Sequence, residues 1–267
     1  NAGTGVTTGS NIIAIGKDAY TVGDTEIQNI AIGLGAFNGA VNGGEYNIAI
    51  GDNTFDALTS ADNSTALGYN AGGAVTTGGD NTFIGAQAGS QVTDGPQQTA
   101  VGMNSLAGGA TGTGKNTCLG YGALGGVSDG YGNIGVGWQA GNGILSGYYN
   151  IIIGYDADIS GSSSNNGLVF GNSITATSND FSFGKASNVV TCDFDADADW
   201  ARSSDERLKR NIQDSTLGLD FINDLRPIKF QWKPSNEVPK EMTSEYNEEN
   251  QKNLDITSHG FIAQEVK

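Results

Sequence analysis

The sequence is poor in the residues that build metal centres and most active sites. It has one histidine, His259, and two cysteines, Cys118 and Cys192, with no C-x-x-C pair. These numbers exclude a zinc or haem site made of Cys and His, and no metal or other cofactor is expected. Each Cys reads as a small buried apolar residue. Basic residues are scarce: 13 Lys and Arg stand against 29 Asp and Glu, giving a net charge of −16. Residues 1–187 carry 13 acidic and 3 basic residues, so no basic stripe exists and nucleic acid is not an expected partner. No apolar run approaches the roughly 18 residues of a membrane span, so no membrane insertion is expected. No secretory leader pattern is visible, and both ends are expected to be cut ends. Proline occurs four times only.

Glycine is what the chain has in abundance, 42 residues of 267, without the G-X-Y period of collagen. Much of it belongs to a repeat of the form Asn, two residues, small or apolar, Gly. The copies include NIAIG at 29–33 and 47–51, NTFIG at 81–85, NTCLG at 116–120, NIGVG at 133–137 and NIIIG at 150–154. Weaker copies close at Gly16, Gly68, Gly102 and Gly171. From Gly16 to Gly171 the closing glycines are spaced by 17, 18, 17, 17, 17, 18, 17, 17 and 17 residues. A last copy, FSFG, closes at Gly184 after a shorter step.

A short fixed period means one chain segment per rung of a stack. Seventeen residues are too few for a helical hairpin, and Gly, Thr, Ile and Asn favour strands and turns. The fold class expected is therefore mainly β: a parallel β-solenoid, a β-roll or an intertwined triple β-helix. Side chains alternate along a strand. The column just before the glycine (Ile15, Ile32, Ile50, Leu67 and on to Phe170) is always apolar and is expected to be core. The column two before the glycine is mostly Ala and is expected to admit another sheet or chain. Ten rungs at about 4.8 Å would make a rod of about 50 Å. Three chains about one axis would enlarge its narrow core, so a homotrimer is expected.

Residues 11–171 resemble the heads of trimeric autotransporter adhesins, whose repeats also read N-x-x-A-I-G. The period here is longer. In a stack, sequence columns become ladders. The Asn residues that open each copy are expected to hydrogen-bond along the axis. Thr65, Thr82, Thr99 and Thr117 share a column with Ile13 and Ile30, so this ladder is expected to face inward rather than bind ice. Tyr121, Trp138 and Tyr155 follow the glycine in three successive rungs and are candidate contacts for a host glycan, against packing at a chain seam. Variable loops such as 72–80 and 107–115 are further candidate recognition surfaces. The pair Asp156 and Asp158 is expected to be solvated rather than a glycosidase centre, so no catalysis on an external substrate is predicted. Asp193, Asp195, Asp197 and Asp199 lack the Gly and Glu of a calcium loop and suit a linker or edge strand.

Composition changes near residue 200, where glycine nearly vanishes and charge rises. Leu217, Leu219, Phe221, Ile222 and Leu225 have helical spacing ended by Pro227, and IKFQW at 228–232 alternates as a strand. Residues 235–256 read as a polar insertion, and HGFIAQEVK at 259–267 starts another element. Three motifs, SDERLKRNI at 204–212, LRPIKFQWK at 225–233 and GFIAQEV at 260–266, are similar in order to the endosialidase-type intramolecular chaperone. The chain thus divides into a repeat region, 1–187, an acidic linker, 188–202, and the start of a small α+β chaperone, 203–267.

That resemblance implies a protein of a bacteriophage tail fibre or tail spike, part of the virion, that attaches to a host glycan or protein receptor and to other tail proteins. It implies self-cleavage between Ser203 and Ser204, with Ser204 as nucleophile, Lys209 as base, and Asp205 and Arg207 supporting the motif. This single-turnover autoproteolysis is the only catalysis expected. The alternatives are a bacterial trimeric surface adhesin and a spike that depolymerises polysaccharide. A chaperone suits a repeat whose rungs are alike, because a slip of register by one period costs little and non-local β pairing is slow.

Overall fold

The computed structural model describes residues 1–21, 25–39, 42–109, 114–195, 200–201, 225–231, 233, 234, 237, 239 and 257–262. The chain forms two compact units, Asn1–Ser203 and Ser204–Lys267. In the first unit each copy of the repeat makes one three-residue strand. These are β1 (Ile13–Ile15), β2 (Ile30–Ile32), β3 (Ile48–Ile50), β4 (Thr65–Leu67), β5 (Thr82–Ile84), β6 (Thr99–Val101), β7 (Thr117–Leu119), β8 (Ile134–Val136) and β9 (Ile151–Ile153). Each strand pairs parallel with the next rung of its own chain, as Ala49 does with Ala66. The chain is therefore a parallel β-solenoid with turns of about 17 residues, and not an intertwined triple helix. Among the described residues no α-helix occurs.

The stack ends differently from how it runs. β10 (Asp158–Ile159) and β12 (Thr175–Ala176) form a small second parallel sheet. β11 (Leu168–Asn172) continues the main sheet and pairs with β13 (Asp180–Lys185), aligning Gly171 with Gly184. β14 (Asn188–Asp193) then turns back antiparallel on β13, and β15 (Trp200–Ala201) pairs antiparallel with β14. The stretch expected to be an acidic linker, 188–202, thus carries two strands that end the 13-stranded sheet. An exposed parallel edge would template pairing with other chains, and the antiparallel turn-back replaces it with the short edge strand β15.

Each strand closes on a glycine because the backbone there is left-handed and close to the rung above. At Gly51, φ is +130°, and a Cβ would lie 2.7 Å from the carbonyl oxygen of Gly68. No L side chain fits that approach.

The two faces of the sheet are the reverse of the expectation. The Ala column is the interior: Ala31, Ala49, Ala66 and Ala100 are fully buried, as are Phe83, Cys118, Ile152 and Val169 at the same position. The Ile, Leu and Val column points outward; Ile15 is 57% and Leu119 51% exposed. The Thr ladder lies on this outward face as well, because it shares the parity of those residues. The reason is steric. A 17-residue coil encloses little volume, so in most rungs the inner strand position takes a small residue and leaves the space to a large side chain from across the coil.

The interior is filled by two facing columns, two residues before and four residues after the glycine. They exchange volume: Ala31 with Phe37, Ala49 with Phe55, Ala100 with Leu106 and Cys118 with Leu124, all fully buried. One rung inverts the order, with Phe83 opposite Gly89. Aromatic rings run through the first half, from Tyr20 on Phe37 at 5.1 Å to Phe55 on Phe83 at 6.4 Å. Interiors packed in this way tolerate little change of shape.

In the second unit, β16 (Ile228–Phe230) and β17 (Ser258–Gly260) pair antiparallel, with Lys229 opposite His259. This brings together the segments expected as a strand at 228–232 and as a new element from 259. The expected helix around 217–225 lies outside the described residues, except Leu225.

Candidate functional site

The surface that the repeat builds rests on an internal zipper. In each rung the residue before the Asn is left-handed, for example Gln28 and Gln97, and this turn leads the chain into the strand. The backbone N–H of the next residue then faces a side chain one rung below. Asn29 Oδ1 accepts the N–H of Asn47 at 2.9 Å, Asn116 Oδ1 that of Asn133 at 3.0 Å, and Asn133 Oδ1 that of Asn150 at 3.0 Å. The amide groups donate to loop carbonyls: Asn47 Nδ2 to Ala61 O at 2.8 Å and Asn133 Nδ2 to Gly147 O at 2.8 Å. Ser64 and Gln98 take the place of Asn in two rungs and accept the same N–H. The expected Asn ladder is therefore an interior device that ties each strand to its loop.

Held by this zipper, the outward face of the main sheet is a continuous apolar surface. It carries Ile13, Ile15, Leu67, Ile84, Leu119, Ile134, Ile153 and Phe183 among its exposed residues, with Thr between them. Soluble monomers rarely expose contiguous apolar patches beyond a few hundred Å². A composition of Ile, Leu, Val and Thr on a regular sheet matches another such sheet.

The aromatic ladder borders that face, one residue beyond the glycine. Tyr121 stacks on Trp138 at 6.2 Å and Trp138 on Tyr155 at 4.7 Å, both within 11° of parallel. The rings cover one another along the stack and present their edges outward. Met103, Tyr69 and Leu34, in the same column, are exposed too. The three aromatics thus come together as predicted, in a column continuous with the apolar face.

A second aromatic group escaped the reading of the sequence. Tyr131 and Tyr148 stack at 5.2 Å, and Tyr149 packs edge-on against both, at 5.2 and 5.4 Å. The signal was present: Tyr131 and Tyr148 are one period apart, but they precede the Asn and lie outside the motif.

The acidic candidates are occupied in structural roles. Asp158 accepts the N–H of Gly143 at 2.9 Å and of its neighbour Ile159 at 2.8 Å. Burial pushes its carboxyl above the usual carboxylate range, and those two N–H groups oppose the shift. Asp193 accepts the N–H of Asp195 at 2.8 Å, and Asn179 donates to Asp195 at 2.8 Å. Asp197 and Asp199 lie outside the described residues. So do Ser203, Ser204, Asp205, Arg207 and Lys209. Burial pushes the Cys118 thiol up, as an inert interior position requires.

Residues 204–267 match the family described as chaperone of endosialidase. The match begins where the second compact unit begins, at Ser204. No curated protein matches the chain, and no solved structure does. The chain thus consists of a β-solenoid repeat region followed by an endosialidase-type chaperone segment.

Proposed function

We propose that the chain is the shaft of a homotrimeric phage tail fibre used for host attachment. Its carboxy-terminal segment would assemble three chains and then cut itself off. The observation that carries this reading is the apolar outward face of the 13-stranded sheet. One chain alone leaves it in water, whereas three copies about an axis bury all three faces in one core. Chaperones of the matched family act in trimeric proteins and are typical of phage tail fibres and spikes, which supports the number three and the setting. The Tyr121, Trp138 and Tyr155 ladder borders the same face and reads as the rim of the chain seam. A glycan there would meet ring edges, apart from the two outermost ring faces.

Cleavage follows from the resemblance of the SDERLKRNI segment. Lys209, deprotonated by burial on assembly, takes the proton of Ser204 Oγ, and the oxygen attacks the carbonyl carbon of Ser203. The Ser203–Ser204 amide is exchanged for an ester, the amine of Ser204 is released, and water hydrolyses the ester. Asp205 and Arg207 hold the segment. Assembly thereby becomes the condition for cutting, and the released fibre persists through a high unfolding barrier.

The test uses a chain extended through the complete chaperone domain. Light scattering should give three chain masses, and Leu119→Glu should reduce this to one. On a denaturing gel the parent should appear cut, Ser204→Ala uncut, and Lys209→Ala strongly slowed. A stable monomer of the parent chain rejects the fibre, and normal cutting of Ser204→Ala rejects the nucleophile.

A further inference from the structure

We infer that Thr65, Thr82, Thr99 and Thr117 form a register key between copies of this chain, a belt of hydroxyls that pairs with the same belt on two neighbours. This rests on the trimer proposed above and deepens it, since it says how three stacks of similar rungs find one alignment. The belt is continuous. Parallel pairing sets Thr65 beside Thr82, Thr82 beside Thr99 and Thr99 beside Thr117. It is also bounded, because Ile48 pairs with Thr65 at one end and Ile134 with Thr117 at the other. Before the belt this outward column is Ile in every rung, from Ile13 to Ile48. After it the column is Ile, Leu or Phe, from Ile134 to Phe181. The companion column, from Ile15 to Phe183, stays apolar throughout and has no Thr.

Two observations say what covers the belt. First, among the described residues the four hydroxyls make no hydrogen bond, whereas Thr54, Thr59 and Thr76 donate theirs to carbonyls of the chain at 2.8, 2.9 and 3.1 Å. Second, neither outward column carries a charged or amide side chain from Ile13 to Phe183. The face therefore gives no handle to a ligand of either sign and no repulsion to a copy of itself. A hydroxyl both donates and accepts, so each of three threonines about an axis gives a hydrogen bond to one neighbour and takes one from the other. The belt is thus complementary to itself. The chain also carries a chaperone segment of a family that acts in trimeric proteins, which makes the occupant another copy of this chain.

With the copies level, every hydroxyl of the belt meets hydroxyls. A slip of one rung between two copies sets one Thr of each against Ile, and a slip of two rungs sets two. A buried hydroxyl without a partner is unfavourable, so the penalty grows with the slip. A face of Ile alone would lose only contact at its ends. A polar position in an apolar seam fixes register in coiled coils by the same physics.

The experiment moves the belt. Thr65→Ile with Ile134→Thr shifts it one rung along the stack at constant composition, and Ile48→Thr with Thr117→Ile shifts it one rung the other way. Chains extended through the complete chaperone domain are produced in pairs with different tags, and native mass spectrometry counts pure and mixed trimers. Each shifted chain alone should form trimers that melt near the parent. Mixed trimers of parent and shifted chain should fall about threefold or more below the share formed by two tagged parents. They should fall further when the two shifted chains are paired, since their belts lie two rungs apart. The variant with all four Thr→Val keeps the branched shape and lacks the key. It should stay trimeric and mix with the parent and both shifted chains to the same extent. Statistical mixing in every pair overturns the key and leaves the trimer standing. A shifted chain that forms no trimer by itself, or loss of the trimer in the valine variant, also overturns the key, because the hydroxyls would then serve assembly and not register. A monomeric parent rejects the fibre and the key together.

Discussion

A Cβ placed on Gly89 would lie 2.4 Å from Cε1 of Phe83, so the glycine and the ring occupy one space. The neighbouring rung solves the same problem in reverse, with Ala100 inside the strand and Leu106 in the facing column. Leu106 has φ +49° and Gly89 φ +60°, so the backbone at 89 already has a shape in which a leucine is found. Phe83→Ala should empty a cavity at a cost of about 3–5 kcal/mol. Gly89→Leu alone should overpack by about 1–3 kcal/mol. The double variant copies the next rung and should recover much of both losses. Melting temperatures at one scan rate, compared around the double-mutant cycle, check this, and strict additivity would reject the complementarity.

Asn133 links two other rungs and one loop. Its Oδ1 accepts from Asn150 N, and its Nδ2 donates to Gly147 O. Asn133→Ala leaves buried partners unsatisfied, at about 1–3 kcal/mol each. Asn133→Ser should cost less, because Ser64 at the equivalent place still accepts the N–H of Asn81 at 3.1 Å. Hydrogen exchange at the Asn150 amide should rise strongly in the alanine variant and modestly in the serine variant. Equal protection in all three would exclude the zipper.

The regular spacing from Gly16 to Gly171 made the solenoid legible, because a stack uses the same glycine at each step, and from Gly16 to Gly154 every one of them is left-handed. The Asn zipper was legible for the same reason. The direction of the faces was not. Ile32 and Ala31 are both apolar, and a pattern of period two separates them without saying which is inside. Apolarity records burial in the final assembly, and an outward Ile can be buried by another chain. The size of the coil decides the matter, and coil size follows from loop paths that the motif does not describe. Residues 188–202 were read by their acids, which suit a linker or an edge strand, but the acids begin only at Asp193, and the preceding Val189, Val190 and Thr191 are strand-favouring residues that pair with β13. The cleavage motif was legible through resemblance alone, since a Ser and a Lys five residues apart carry no signal by themselves.

Tyr20 gives the first rungs a response to alkali. It is buried against Phe37 at 5.1 Å, and Asn29 Nδ2 donates to its hydroxyl oxygen at 3.0 Å. Burial pushes its pKa from 10.0 up to about 12, with Asn29 acting in the opposite direction. A raised acid pKa means that the folded state favours the protonated form. Its contribution is complete below about pH 10 and is lost as pH rises towards 12. Tyr20→Phe should therefore flatten the fall in melting temperature across that window. Below it, the variant should be somewhat less stable, since Asn29 keeps its bond to Gly44 O at 2.8 Å but loses the hydroxyl. An identical alkaline slope in parent and variant would exclude Tyr20 as the titrating group.

Trp138 reports on whether the aromatic ladder lies at the rim of the chain seam. It stacks between Tyr121 and Tyr155, and it is 39% exposed in the single chain. In the proposed trimer its outer edge is sheltered by a neighbouring chain. With Trp200 and Trp232 replaced by Phe, Trp138 is the one remaining indole. Its fluorescence should then resist acrylamide quenching in the trimer and become more accessible in the Leu119→Glu background. The Leu119 side chain points outward, so the variant keeps the coil while introducing charge into the apolar face. Circular dichroism should confirm that the β signal is retained. Equal quenching in the two backgrounds would place the ladder on a free surface and return Tyr121, Trp138 and Tyr155 to the role of glycan contacts. Reduced quenching in the trimer assigns them to the seam.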